Sequence, residues 1–272
     1  MGGRGSNSKI KTRVPIPMTV TQQAQPQPQQ NQPVSQQPPT DQNTPVQSAA
    51  VTNLSQMSDA QLAQLVMDSK TVDMPNFLND VADQTQRFVF AAGINEKPMV
   101  LDDADFSQYM KDNNIPSNQI ISRSVSPITY RNNDGTTVKM SANDVIDMMK
   151  YSRLNYIGGK VNGQAYGAGT YFAMNGGSNT GYGGTTATAV LNPATAKVIT
   201  DRQLATRARA FAQSHPQFAK AVGAYNTSFY NNNMSIYALA MGYNVIADAY
   251  GGSNTYYNVI DRSALVYKKS NK

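Results

Sequence analysis

The chain of 272 residues contains no cysteine and no tryptophan, one histidine and a single glutamate, Glu96. Without cysteine there are no disulfides, no thiolate metal sites and no thiol catalysis, a composition that agrees with a reducing compartment. His215 stands alone and precedes Pro216, so it reads as a helix-end residue, with no partner for a triad or a metal site. No apolar run approaches the roughly 20 residues of a membrane span, and the N-terminus lacks the apolar stretch of a signal peptide, so neither a membrane nor that secretory route is expected.

What is present divides the chain by texture. From Gln22 to Gln47 it is almost wholly Gln, Pro, Asn, Thr and Ser, which offers nothing to offset the entropy of ordering, and residues 1–55 are expected to be a disordered tail. Arg4, Lys9, Lys11 and Arg13 against Asp41 give this tail a net charge of +3, half of the formal +6. Elsewhere Lys and Arg are scattered rather than gathered on one face, which argues against direct nucleic-acid recognition.

Residues 56–115 read as a helical segment. Ser58 with Gln61 forms a capping-box pattern before Leu62, Leu65 and Val66. Pro75 opens a second helix through Phe77, Leu78, Val81, Phe88 and Val89 as far as Gly93, and a third follows Asp103 with Phe106, Tyr109 and Met110 on one side. Residues 116–272 change to short β-type runs: Gln119–Val125, then Ile128–Arg131 and Thr136–Met140 around an Asn-Asp-Gly turn. After a helix opened by Ser141, strands are expected at Thr186–Leu191 and Lys197–Thr200, then helices at Leu204–Phe211, Phe218–Tyr225 and around Ile236–Ala240. Further strands are expected at Tyr243–Ala247, Tyr256–Ile260 and Ala264–Tyr267. The order of helices, strands, helices and strands predicts an α+β fold with a mixed or antiparallel sheet.

Chemistry concentrates in YGAGTYFAMNGGSNTGYGG, Tyr166–Gly184, where a Gly-x-Gly turn leads into an aromatic run. Glycines admit close approach of backbone to a ligand. A Rossmann turn would need a third glycine where Phe172 stands and an acid about 20 positions on, and no acid follows before Asp201. The plain alternative is a strand whose aromatics Tyr171 and Phe172 pack the core.

Gly167, Gly169, Tyr171, Phe172 and Ala173 resemble the G-x-G-x-Y-F-A motif of ADP-ribosyltransferase catalytic domains, the poly(ADP-ribose) polymerase branch in particular. The resemblance covers roughly residues 118–268 and implies a split-sheet fold that binds NAD as substrate. It implies that Tyr171 and a second tyrosine eleven residues on, Tyr182, sandwich the nicotinamide ring, as two aromatic faces suit a flat cationic ring. In IISRSV it places Arg123 on ribose or pyrophosphate oxygens, which a planar guanidinium fits, and Ser124 on the carboxamide.

One departure bears on catalysis. The family's glutamate near the start of a late strand, which stabilises the oxocarbenium-like transition state, falls here on Tyr256 or Tyr257. Asp261, on the same segment but placed by the resemblance at its far end, is the candidate to replace that carboxylate in catalysis, against the simpler reading of a turn residue before Arg262. The pairs Asp102/Asp103 and Asp144/Asp147 suit helix starts or solvated faces.

MGGRGS and QRFVFAAGINEKPMVLDD, Gln86–Asp103, also resemble minor head proteins of bacteriophages that infect Gram-positive bacteria. This second resemblance implies a virion or host-cytoplasm setting and phage head or portal proteins as partners. Two functions are therefore expected in competition: transfer of a single ADP-ribose to a host macromolecule, or a non-catalytic virion component that keeps the fold.

Overall fold

A computed structural model describes residues 53–74, 82–131, 134–152, 169–174, 184–223, 233–248 and 256–269. Seven α-helices occur among them: α1 Asp59–Thr71, α2 Gln84–Ala91, α3 Asp103–Asp112, α4 Ala142–Tyr151, α5 Asp201–Ser214, α6 Pro216–Val222 and α7 Met234–Ala240. Ten strands accompany them: β1 Met99–Leu101, β2 Ile121–Val125, β3 Ile128–Arg131, β4 Thr137–Met140, β5 Thr170–Met174, β6 Thr185–Leu191, β7 Val198–Thr200, β8 Val245–Asp248, β9 Tyr256–Val259 and β10 Leu265–Lys268. The class is α+β, as expected. The 1–55 tail, apart from its last three residues, and the 75–81 part of the second helix lie outside the described residues.

Helix starts follow from local chemistry. Ser58 Oγ accepts from Gln61 N while Gln61 Oε1 accepts from Ser58 N, and the same reciprocal box joins Ser141 to Asp144 and Thr200 to Gln203. Each satisfies two amide groups that the first helical turn leaves without partners. Asp102 caps α3 by accepting from Asp105 N, so the acidic pairs at 102/103 and 144/147 each supply a helix-start carboxylate. His215 gives α6 no side-chain cap; Asp59, at the start of α1, accepts from Gln217 N at 3.0 Å and Phe218 N at 2.8 Å instead. Lys70 at the other end of α1 donates to the carbonyl of Ala221, so α1 serves both ends of α6.

Eight strands form one mixed sheet in the order β1-β10-β6-β2-β5-β9-β8-β7, and β3-β4 is a separate antiparallel hairpin. β1 pairs parallel with β10, and β7 parallel with β8; the other pairings are antiparallel. Alternation along the strands sends Ile121, Val125, Phe172, Ala187, Ala189, Val259, Leu265 and Tyr267 to one face, where Val145, Ile146 and Met149 of α4 close a core over them. The other face has two separate covers. α3 packs Phe106 on Val190 and Val266 at the β1 side, while α1, α2, α5, α6 and α7 cover Ile199 and Ile246 at the β7 side.

The segment 56–115, set apart by its sequence texture, is built into this core. Leu62, Val66, Phe88 and Val89 are buried with Phe218 and Ile236, and β1 forms an edge of the sheet. Arg262, buried beyond β9, donates from Nε to the Glu96 carbonyl at 3.0 Å and from Nη2 to that of Asn95 at 3.3 Å, which fastens the loop before β1.

Candidate functional site

The sheet narrows at its centre. β2 pairs with β6 over five residue pairs, from Ile121↔Ala189 to Val125↔Thr185, but with β5 over two alone, Ile121↔Met174 and Ser122↔Ala173. Two four-stranded halves thus join at one end of β2 and separate from Arg123 onward, which is the split expected of the sheet.

Arg123 sits where the ladder stops. Alternation puts its side chain on the face of Ile121 and Val125, and it is 8% exposed. Its Nη1 donates to the backbone carbonyl of Tyr171 at 3.1 Å. A guanidinium therefore bridges the two half-sheets where their backbones have parted, and a charge-assisted bond from a planar, preorganised donor suits that duty. The family resemblance implies ligand oxygens as the partners of Arg123; in this conformation the group braces the fork on its buried side.

Tyr171 points the other way. It pairs with Asn258 of β9, is half-buried, and packs against the core under α1, α2 and α5–α7, while its neighbour Phe172 is fully buried on the α4 side, 6.0 Å from the Tyr267 ring. Arg123 and Tyr171 thus meet through a main-chain carbonyl, with their side chains on opposite faces. Ser124 is half-buried, one residue beyond the brace and on the Tyr171 face. Tyr182 and Gly167 lie outside the described residues, and so does the expected tyrosine sandwich.

Gly169 opens β5 under Asn258. A Cβ placed on it would come within 1.5 Å of Asn258 Oδ1, so a glycine is what this close approach of side chain to backbone requires. Asn258 is 2% exposed and donates from Nδ2 to Ser235 Oγ of α7 at 3.3 Å, and its Oδ1 is buried with no hydrogen-bond partner. Asn258 is not among the candidate residues of the sequence, where a lone polar residue between Tyr257 and Val259 is the signal that marks it.

The late strand carries no carboxylate at its start. Tyr256 is exposed, and Tyr257 is half-buried on the Phe172 side, its hydroxyl 3.3 Å from Met174 Sδ and its phenol pushed upward by burial. Asp261 lies two residues past β9 and opens the short 3-10 turn Arg262–Ala264, accepting from Ser263 N and Ser263 Oγ, each at 2.9 Å. Burial raises its carboxyl above the ordinary range, against the pull of the Ser263 bonds. Its hydrogen bonds serve this turn and not the fork. Among the described residues, no group of three or more His, Asp and Glu side chains is placed to hold a metal ion.

Comparison with family models, with curated proteins and with solved structures finds no match for this chain.

Proposed function

We propose that the chain is an NAD-dependent mono-ADP-ribosyltransferase acting on a host macromolecule, with the fork between β2 and β5 as its nucleotide site. The observation that carries the reading is the coincidence of motif and geometry: Arg123 and the Gly169–Ala173 run stand on the two strands that part, joined by the Arg123–Tyr171 bond. On this reading Tyr171 supplies an aromatic face for nicotinamide, Ser124 lies on the same face for the carboxamide, and Gly169 keeps the strand entrance slim. Arg123 acts by positioning the Tyr171 strand rather than by gripping phosphate. The glycosidic bond between ribose C1′ and nicotinamide nitrogen breaks with its electron pair leaving on nicotinamide. An acceptor nucleophile then bonds to C1′ and releases its proton to solvent.

With Tyr256 and Tyr257 where a carboxylate would stabilise the developing positive charge, transfer is expected to be slow and to stop at one unit. The same observation favours a second reading, a binding module without catalysis; carried in a phage head, it would meet head or portal proteins. Incubation of the full chain with labelled NAD and bacterial lysate separates the two. Label on protein together with released nicotinamide, both lost in Tyr171→Leu, is the outcome expected of a transferase; NAD binding without either product is the outcome expected of the module.

A further inference from the structure

From Arg202 to Ala247 the chain has no Asp or Glu, while the same stretch carries Arg202, Arg207, Arg209 and Lys220. The other long surface helices are mixed or acidic: α1, α3 and α4 each carry at least two aspartates. α5 has only Asp201, in its first turn, where a carboxylate of the side chain accepts from Arg202 N.

Leu204 and Ala208 of α5 are buried, and Phe211 and Ala212 pack partly buried against the same core. The helical period places Arg202, Thr206, Arg209 and Gln213 within a sector of roughly 60° on the side away from that core, and all four are exposed. Arg202 and Arg209 look scattered along the sequence, but two helical turns bring them onto one ridge, about 10.5 Å apart in rise. Neither guanidinium has a hydrogen-bond or ion-pair partner among the described residues. Arg207 leaves the ridge: its guanidinium lies over the Tyr243 ring, 5.6 Å from the centroid, and bonds the Tyr243 hydroxyl.

We propose that the outer ridge of α5 is a docking surface for the phosphate backbone of double-stranded DNA, read without regard to base sequence. Charge complementarity carries the assignment, since two unpaired planar guanidiniums on an acid-free helix suit phosphate oxygens. Their separation is close to three phosphate steps of about 3.4 Å along one DNA strand, so both can meet the same strand. The ridge has no large apolar side chain. A membrane-surface helix must bury an apolar face, and that of α5 is already spent on the core; a tight protein interface is built around buried anchors, for which Thr206 and Gln213 offer little. This surface is independent of the fork between β2 and β5, and failure of either reading leaves the other standing.

The test is fluorescence anisotropy titration of labelled DNA duplexes of two unrelated sequences with the full chain, between about 50 and 200 mM salt. Each phosphate contact contributes about 0.9 to the slope of log affinity against log salt, so Arg202→Gln/Arg209→Gln should make that slope shallower by about 1.8. It should weaken both duplexes by the same factor, because the contacts carry no base readout. Lys97→Gln/Lys111→Gln removes the same charge from exposed positions outside α5 and should keep the wild-type slope. Thermal midpoints of the three proteins should agree, since all four substituted side chains are exposed. No binding to wild type, an unchanged slope in the α5 pair, or an equal loss in the control pair would overturn the proposal. Tighter binding of polyglutamate or of an RNA duplex than of DNA would overturn DNA as the occupant.

Discussion

Arg123 shows how a residue can be found for one reason and work for another. The resemblance carried by IISRSV implies a ligand group there, yet the fold buries it and commits Nη1 to the Tyr171 carbonyl. Alternation alone hints at this, because Arg123 falls in step with Ile121 and Val125; what sequence cannot supply is the parting of β2 from β5 that leaves a carbonyl in need of a donor. Arg123→Met should destabilise the chain by roughly 1.5–3 kcal/mol, the range for hydrogen bonds involving a charged group, as read by urea denaturation. A change within 0.5 kcal/mol would remove the brace from the account. Gly169→Ala sets a methyl against Asn258 Oδ1 and should cost about 1–3 kcal/mol as a buried overpacking. Combining it with Asn258→Ser should recover part of that loss, since contacting residues couple. Strict additivity would show that the close approach is not the cause.

Asp261 belongs to the same scale. Its carboxyl is raised mainly by burial, so its ionised form is less favourable in the folded chain than in the unfolded one. A carboxyl shifted in this direction favours folding most below its unfolded pKa, and that contribution is lost as pH rises through the folded value. Asp261→Asn is uncharged at every pH and keeps one acceptor for Ser263. Relative to wild type it should be at its best near pH 7 and lose that advantage as pH falls below the folded value towards about 4. An advantage that grows on acidification, in paired denaturation curves, would contradict the assignment.

At the scale of elements the sequence was most legible where a local rule decides the outcome. The capping box at Ser58 marks α1, Ser141 stands immediately before α4, and β-type runs mark β2, β6 and β9 to within a residue or two; the boxes at Ser141 and Thr200 are shown by the structure. Less legible were features created by contact at a distance. β1 is three residues long and gains its partner 167 positions later, at Val266 opposite Met99, so no periodicity announces it. The cap of α6 comes from Asp59 across the fold, whereas the local residue, His215, stacks on Phe211 at 3.9 Å instead. Asp59→Ala should therefore destabilise the protein by about 0.5–2 kcal/mol although Asp59 begins a different helix. No effect on the urea midpoint would show that α6 needs no such cap.

For the whole molecule, the division into a helical segment and a sheet domain describes sequence texture, not folding units. Leu62, Val66 and Phe88 complete the core around Phe218 and Tyr237, and removal of residues 1–115 would expose that core together with the β10 edge. Such a truncation is expected to lose the cooperative thermal transition of the full chain. The fork braced by Arg123 is compatible with both proposed readings, a transferase and a binding module, and the tyrosines at the start of the late strand are what separates them.

The most direct measurement is calorimetric titration of NAD into the full chain and into Tyr171→Leu, a change that keeps apolar bulk on the half-buried site and removes the aromatic face. Saturable binding to wild type, weakened at least tenfold in Tyr171→Leu at an unchanged thermal midpoint, is the predicted result. Absence of binding to wild type, or equal affinity in both proteins, would contradict a nucleotide site at the fork.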